Sequence, residues 1–141
     1  MLKGISPLLS PELLKVLAEM GHGDEIVIGD ANFAAQSLGQ RVVRCDGLGG
    51  VELLDAILSL LPLDTFVETP VNLMQVVPGT LDGDPPIWQD FTATVQKHQP
   101  GVAIGQVERF AFYDRARKAY ACVSTSERAL YACIILKKGV L

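Results

Sequence analysis

Leu13, Leu14, Val16, Leu17 and Met20 recur at helical spacing behind Ser10-Pro11-Glu12, a capping serine, a proline suited to the first helical position and an acid for the first turn. This pattern predicts a helix that ends at Gly21. The apolar positions then change period, and Glu25–Gly29 (EIVIG) reads as a short strand that runs into a loop at Asp30-Ala31-Asn32-Phe33. A second strand is predicted at Arg41–Arg44, a second amphipathic helix through Val51, Leu54, Ile57, Leu58 and Leu61 up to Pro62, and a third strand at Asn72–Val77. Pro78–Pro86 (PGTLDGDPP) breaks regular structure, and a helix follows over Ile87–Lys97. Beyond the short run Ile104–Val107, a helix is predicted over Glu108–Lys118, with Arg115, Arg117 and Lys118 complementing its C-terminal dipole. Two closing strands, Ala119–Ser124 and Tyr131–Lys137, flank the polar turn Thr125–Arg128.

Strands that alternate with helices predict an α/β layered domain, and the closing pair, so briefly connected, predicts an antiparallel component in a mixed sheet. The 141 residues suit one domain spanning 1–141, and the pattern contains no internal repeat. Apolar residues make up 49% and charged residues 20%, which excludes intrinsic disorder. With a mean hydropathy of +0.29, the apolar surplus calls for burial in a subunit interface, and an oligomer is expected.

Sixteen acidic residues outnumber 12 basic ones, and no basic stripe is present to neutralise phosphates, so nucleic acid and anionic membranes are poor partners. No stretch of about 18 apolar residues exists, and the charges and prolines of the opening segment do not fit a signal peptide; a cytoplasmic protein is expected. Cys45, Cys122 and Cys133 are odd in number and unpaired in spacing, as free thiols in a reducing compartment would be. His98 lacks a ligand partner four residues on and reads as a surface residue, not a metal ligand. Asp46–Gly50 lacks the ending of a phosphate loop and reads as a strand-to-helix turn, and no G-x-S-x-G elbow is present. These spacings give no metal site.

The chemistry concentrates at Gly21-His22-Gly23-Asp24. Flanking glycines free the backbone and strip bulk from both sides of an imidazole, a group that ordinarily titrates near about pH 6.5 and can move a proton at neutral pH. His22 either faces a cavity or caps the first helix. Asp30 stands at the C-terminal end of a strand, where open α/β sheets place ligand groups, although an Asx-turn would also use it. Arg109 sits at a helix start, opposing the dipole, either for a role or for an ion pair with Glu108 or Asp114. Tyr131 and Cys133, two apart on a predicted strand, would share one face and either line a pocket or pack in the core.

Residues 5–33 (ISPLLSPELLKVLAEMGHGDEIVIGDANF), 70–88 (PVNLMQVVPGTLDGDPPIW) and 108–140 (ERFAFYDRARKAYACVSTSERALYACIILKKGV) resemble the fucose mutarotase family, relatives of ribose pyranase, and the likeness runs nearly end to end. The resemblance implies an α/β protein in the cytosol that assembles into rings, typically decamers, and interconverts the α and β anomers of a reducing sugar, L-fucose first among them, without metal or cofactor. It places His22 on the proton donor and Asp30, Arg109 and Tyr131 on substrate-binding positions. Two departures alter the polar groups of the implied pocket. The family's Asp-Ala-His-Phe is Asp30-Ala31-Asn32-Phe33 here, and its Tyr-Gly-Asn is Tyr131-Ala132-Cys133, which makes Cys133 a candidate site residue. The alternatives are pyranose/furanose exchange of ribose, or a sugar-binding regulatory ring without turnover.

Overall fold

The computed structural model describes residues 1–141. Helix α1 (Pro11–Glu19) starts as its sequence dictates: Ser10 Oγ accepts the Leu13 N–H at 3.1 Å and Pro11 occupies the first turn. It leads into β1 (Glu25–Gly29), the short α2 (Ala35–Leu38), β2 (Val42–Cys45), α3 (Gly50–Leu58), β3 (Val71–Met74), α4 (Ile87–His98), β4 (Ile104–Val107), α5 (Arg109–Lys118), β5 (Ala121–Thr125) and β6 (Ile134–Lys137). The sequence pattern holds no trace of α2, because four residues are too few to show a helical period.

One six-stranded sheet, ordered β2-β5-β1-β6-β3-β4, forms the middle layer. Alternation along the central strands divides the core. Ile26, Ile28, Ile134 and Leu136 face a large cluster under α1, α3 and α4, while Val27, Cys122 and Ile135 face a smaller one with Phe112 and Ala116 of α5. The expected mixed α/β sheet flanked by helices is therefore present.

The pairing of the closing strands differs from the expectation of a joined antiparallel pair. β1 lies between them, parallel to β5 (Val27↔Cys122) and antiparallel to β6 (Val27↔Ile135). β6 is antiparallel to β3 as well, so it runs against the other five strands. The polar turn is an excursion from one side of β1 to the other. Consequently the C-terminal ends of β1, β3 and β4 and the start of β6 meet along one edge of the sheet, and the start of β1 lies at the opposite edge.

Two local expectations are settled by capping. Helix α1 ends at Glu19, and the Lys138 ammonium donates to the Met20 carbonyl at 2.7 Å, so His22 does not cap it. The turn Asp46–Gly50 does connect β2 to α3, and its amides are occupied: Gly49 N–H donates to Glu52 Oε1 at 2.7 Å and Gly50 N–H to Glu127 Oε2 at 3.0 Å. His98 is less exposed than a surface residue would be. Its Nε2 lies 2.7 Å from Asp55 Oδ1, the atom that also accepts from Lys97 Nζ, which ties α4 to α3.

Candidate active site

A cavity of about 390 Å³ opens at the sheet edge where β1, β3 and β4 end, a size within the range of about 300–1,000 Å³ usual for small-molecule sites. Asp30, Arg109, Tyr131 and Cys133, drawn from three separate stretches of sequence, all line it. Phe33, Met74 and Leu130 supply apolar walls; Asn32, Thr80 and Tyr113 add further polar groups.

Each polar residue is positioned by local structure. Asp30 is 8% exposed, and its Oδ1 accepts the Asn32 N–H at 2.9 Å, so the Asx-turn and the pocket role coexist. Its Oδ2 receives only the Cys133 thiol at 3.5 Å. Burial, reinforced by the Asp30 charge, pushes that thiol far above its ordinary pKa, which keeps it a neutral and weak donor. Arg109 begins α5, where the Glu108 carboxylate caps the helix by accepting the Phe110 and Ala111 N–H groups at 3.0 Å each. Those two bonds hold the Glu108 carboxyl below its usual range. Neither Glu108 nor Asp114 pairs with Arg109; Asp114 pairs with Arg117. Instead Arg109 Nε donates to Tyr113 Oη at 3.0 Å, which raises its pKa further.

Tyr131 and Cys133 do not share a strand. β6 begins at Ile134, and Tyr131 stands in a turn with φ 57°, the one non-glycine residue in the left-handed region. The Trp88 indole holds it there by donating to its carbonyl at 3.0 Å. Both side chains still reach the cavity, through this turn and not through strand periodicity.

His22 lies elsewhere. Of its flanking glycines only Gly23 takes a positive φ, and the imidazole stands before β1, at the far edge of the sheet, with its side chain 41% exposed. A strand of five residues at about 3.3 Å each separates it from Asp30, so one chain cannot bring the two to the same ligand. Its Nε2 is 3.2 Å from Oδ1 of Asp64, a side chain that is 5% exposed, and its ring meets Phe66 edge-on at 5.2 Å between centroids. Phe66 N–H donates to the same Asp64 oxygen at 3.0 Å, the main reason this carboxyl sits below its usual pKa. Asp64 escaped the sequence reading because nothing local marks it. The Leu63↔Lys138 bridge, across 75 residues of chain, carries it to His22.

No three His, Cys, Asp or Glu side chains converge as a metal site would require, and no helix is long and apolar enough to cross a membrane. Among known proteins, the chain is 54% identical to the L-fucose mutarotase of Actinobacillus pleuropneumoniae serotype 5b over 99% of this chain and 97% of that one. It is 50% identical to the human fucose mutarotase, covering 99% and 94% of the two chains. The crystal structure of the fucose mutarotase in complex with L-fucose from Streptococcus pneumoniae superposes with a TM-score of 0.93 at 48% identity, covering 99% of each chain. The match to a family model over residues 3–141 shows that the chain belongs to the RbsD / FucU transport protein family.

Proposed function

We propose that the protein is an isomerase, a mutarotase that interconverts the α and β anomers of L-fucose or a similar reducing sugar in the cytoplasm. The observation that carries this reading is the presence of a carboxylate, Asp30, and a guanidinium, Arg109, neither in an ion pair, in one cavity that is also lined by Thr80, Tyr113 and Tyr131. Opposite charges held apart suit a neutral ligand rich in hydroxyl groups, with the apolar wall of Phe33, Met74 and Leu130 available to its C–H faces. The relatives named as fucose mutarotases, and the neighbour crystallised with L-fucose, support the same substrate.

The chemistry needs two proton transfers. One group protonates the ring oxygen while another takes the anomeric hydroxyl proton, the C1–O bond of the ring opens, the aldehyde rotates, and the steps reverse. Asp30 and Arg109 orient the sugar hydroxyls. His22 is the proton donor, held by Asp64 at one ring nitrogen so that the other is free to face a ligand. Since its own chain's pocket is out of reach, His22 serves the pocket of a second copy.

The surface supports such an assembly. Phe66, 73% exposed, lies beside His22, while Phe110, 65% exposed, meets the pocket residue Tyr113 edge-on and Leu130 lines the pocket itself. Two different apolar patches at opposite edges of the sheet make a head-to-tail contact, and repetition of that contact closes a ring, here read as a decamer. The three cysteines are free and buried, which suits a reducing compartment.

Exchange NMR on a panel of reducing sugars tests the reaction. Saturating one anomeric peak of L-fucose transfers to the other when the protein is present; line broadening without transfer would leave only a sugar-binding ring. The same measurement checks Cys133. Replacing its weak thiol donor by an amide in Cys133→Asn gives Asp30 and the ligand a stronger partner, so exchange with L-fucose rises relative to other sugars. An unchanged preference would show that position 133 acts without its side chain.

A further inference from the structure

The sequence Val77-Pro78-Gly79-Thr80 forms a tight turn in which proline presets the first corner and Gly79, at φ 84°, takes the left-handed second one. The turn brings Thr80 back onto Val77. Thr80 N–H donates to the Val77 carbonyl at 3.1 Å, and Thr80 Oγ1 lies 2.6 Å from that same oxygen. Thr80 Oγ1 also lies 2.6 Å from the Tyr131 hydroxyl, which accepts the Val77 N–H at 3.2 Å.

Counting protons orients this ring. Two oxygens at 2.6 Å must share a proton. A carbonyl has none to give, so the single Thr80 proton lies toward Val77, and the contact between Thr80 and Tyr131 must be filled by the phenol's own proton. Tyr131 oxygen then donates to Thr80, accepts from Val77, and keeps one lone pair. We propose that Tyr131 presents this lone pair, and not a proton, to the cavity, where it accepts a hydroxyl of the bound sugar, and that Thr80 is the positioning residue that fixes this polarity. Trp88 pins the left-handed backbone of Tyr131 at its carbonyl, and the contacts with Val77 and Thr80 hold the phenol oxygen in place. The inference rests on the pocket's being a sugar site.

The test uses L-fucose and two sets of analogues, each lacking one hydroxyl, replaced by hydrogen or by fluorine. Fluorine can accept weakly but cannot donate. In the parent, at the hydroxyl that meets Tyr131, deoxy and fluoro analogues lose affinity alike, by about tenfold, the scale of one missing hydrogen-bond partner. In Thr80→Val the phenol proton is released toward the cavity and the fluoro loss shrinks to about twofold, whereas Thr80→Ser, which keeps the hydroxyl, behaves as the parent. Tyr131→Phe identifies the position independently, because deletion of that hydroxyl then costs nothing further. A fluoro analogue that binds the parent as L-fucose does at the position Tyr131→Phe marks, or a pattern untouched in Thr80→Val, overturns the proposal. L-fucose that neither binds nor exchanges on the parent overturns the sugar reading itself, a separate result.

Discussion

Replacing His22 by Gln lowers anomer exchange by about 10²–10⁴-fold, the range that a general acid or base contributes, while L-fucose still binds. Glutamine keeps a donor of similar reach toward Asp64, so the bond at the far sheet edge has a substitute and the fold persists. Only the imidazole is gone. Binding survives because the residues that line the cavity, Asp30 and Arg109 among them, are untouched. Were His22 merely a structural partner for the buried Asp64 carboxylate, the variant would melt earlier and the folded fraction would exchange normally. Melting temperature, L-fucose affinity and exchange rate measured on one sample separate the cases. Exchange within about twofold of the parent, far below the general acid and base range, removes His22 from the reaction.

A second experiment asks where the histidine acts. Asp30→Asn disables the pocket and His22→Gln disables the donor, and each variant alone is nearly inactive. When the two are co-expressed with different tags and assemblies carrying both are purified, activity returns. A site is whole when an intact pocket, from a His22→Gln copy, meets an intact donor, from an Asp30→Asn copy. With random neighbours in a head-to-tail ring that happens at about a quarter of sites. A site confined to one chain cannot recover, since every chain carries a defect. Doubly tagged assemblies without activity, or no doubly tagged assembly at all, would overturn the shared site.

Much of the framework is legible in sequence because it is written locally. Ser10-Pro11-Glu12 places the start of α1 to the residue, and EIVIG gives β1 with its boundaries. Helix α3 is shorter than its apolar pattern, ending at Leu58, because Leu61 and Leu63 stay buried after the chain has left the helix. The third strand stops at Met74, as Pro78-Gly79 draws Val77 into the turn that holds Thr80. Four residues of the candidate pocket are legible in the sequence, but their arrangement is not. Asp30, Arg109, Tyr131 and Cys133 do meet, yet the reason expected for the last two, a common strand face, is not the reason they meet. Asp64 and Thr80 become visible only when pairings across tens of residues are known. Such pairings follow from the whole fold and leave no local period to read.

The place of β1 between β5 and β6 also governs when the protein can become itself during synthesis. Val27 emerges from the ribosome early, but its neighbours on both sides, Cys122 and Ile135, are about a hundred residues behind it. Until β6 has been made, β2, β5 and β1 have no link to β3 and β4. A nascent chain therefore carries Ile26, Val27 and Ile28 with both edges of their strand unpaired, a condition that favours association with other chains over productive folding. At roughly 5–20 residues per second, that exposure lasts several seconds. Tyr131 and Cys133 join the cavity in the same final step, so a partly made chain has neither a finished sheet nor a place for a ligand to steady it.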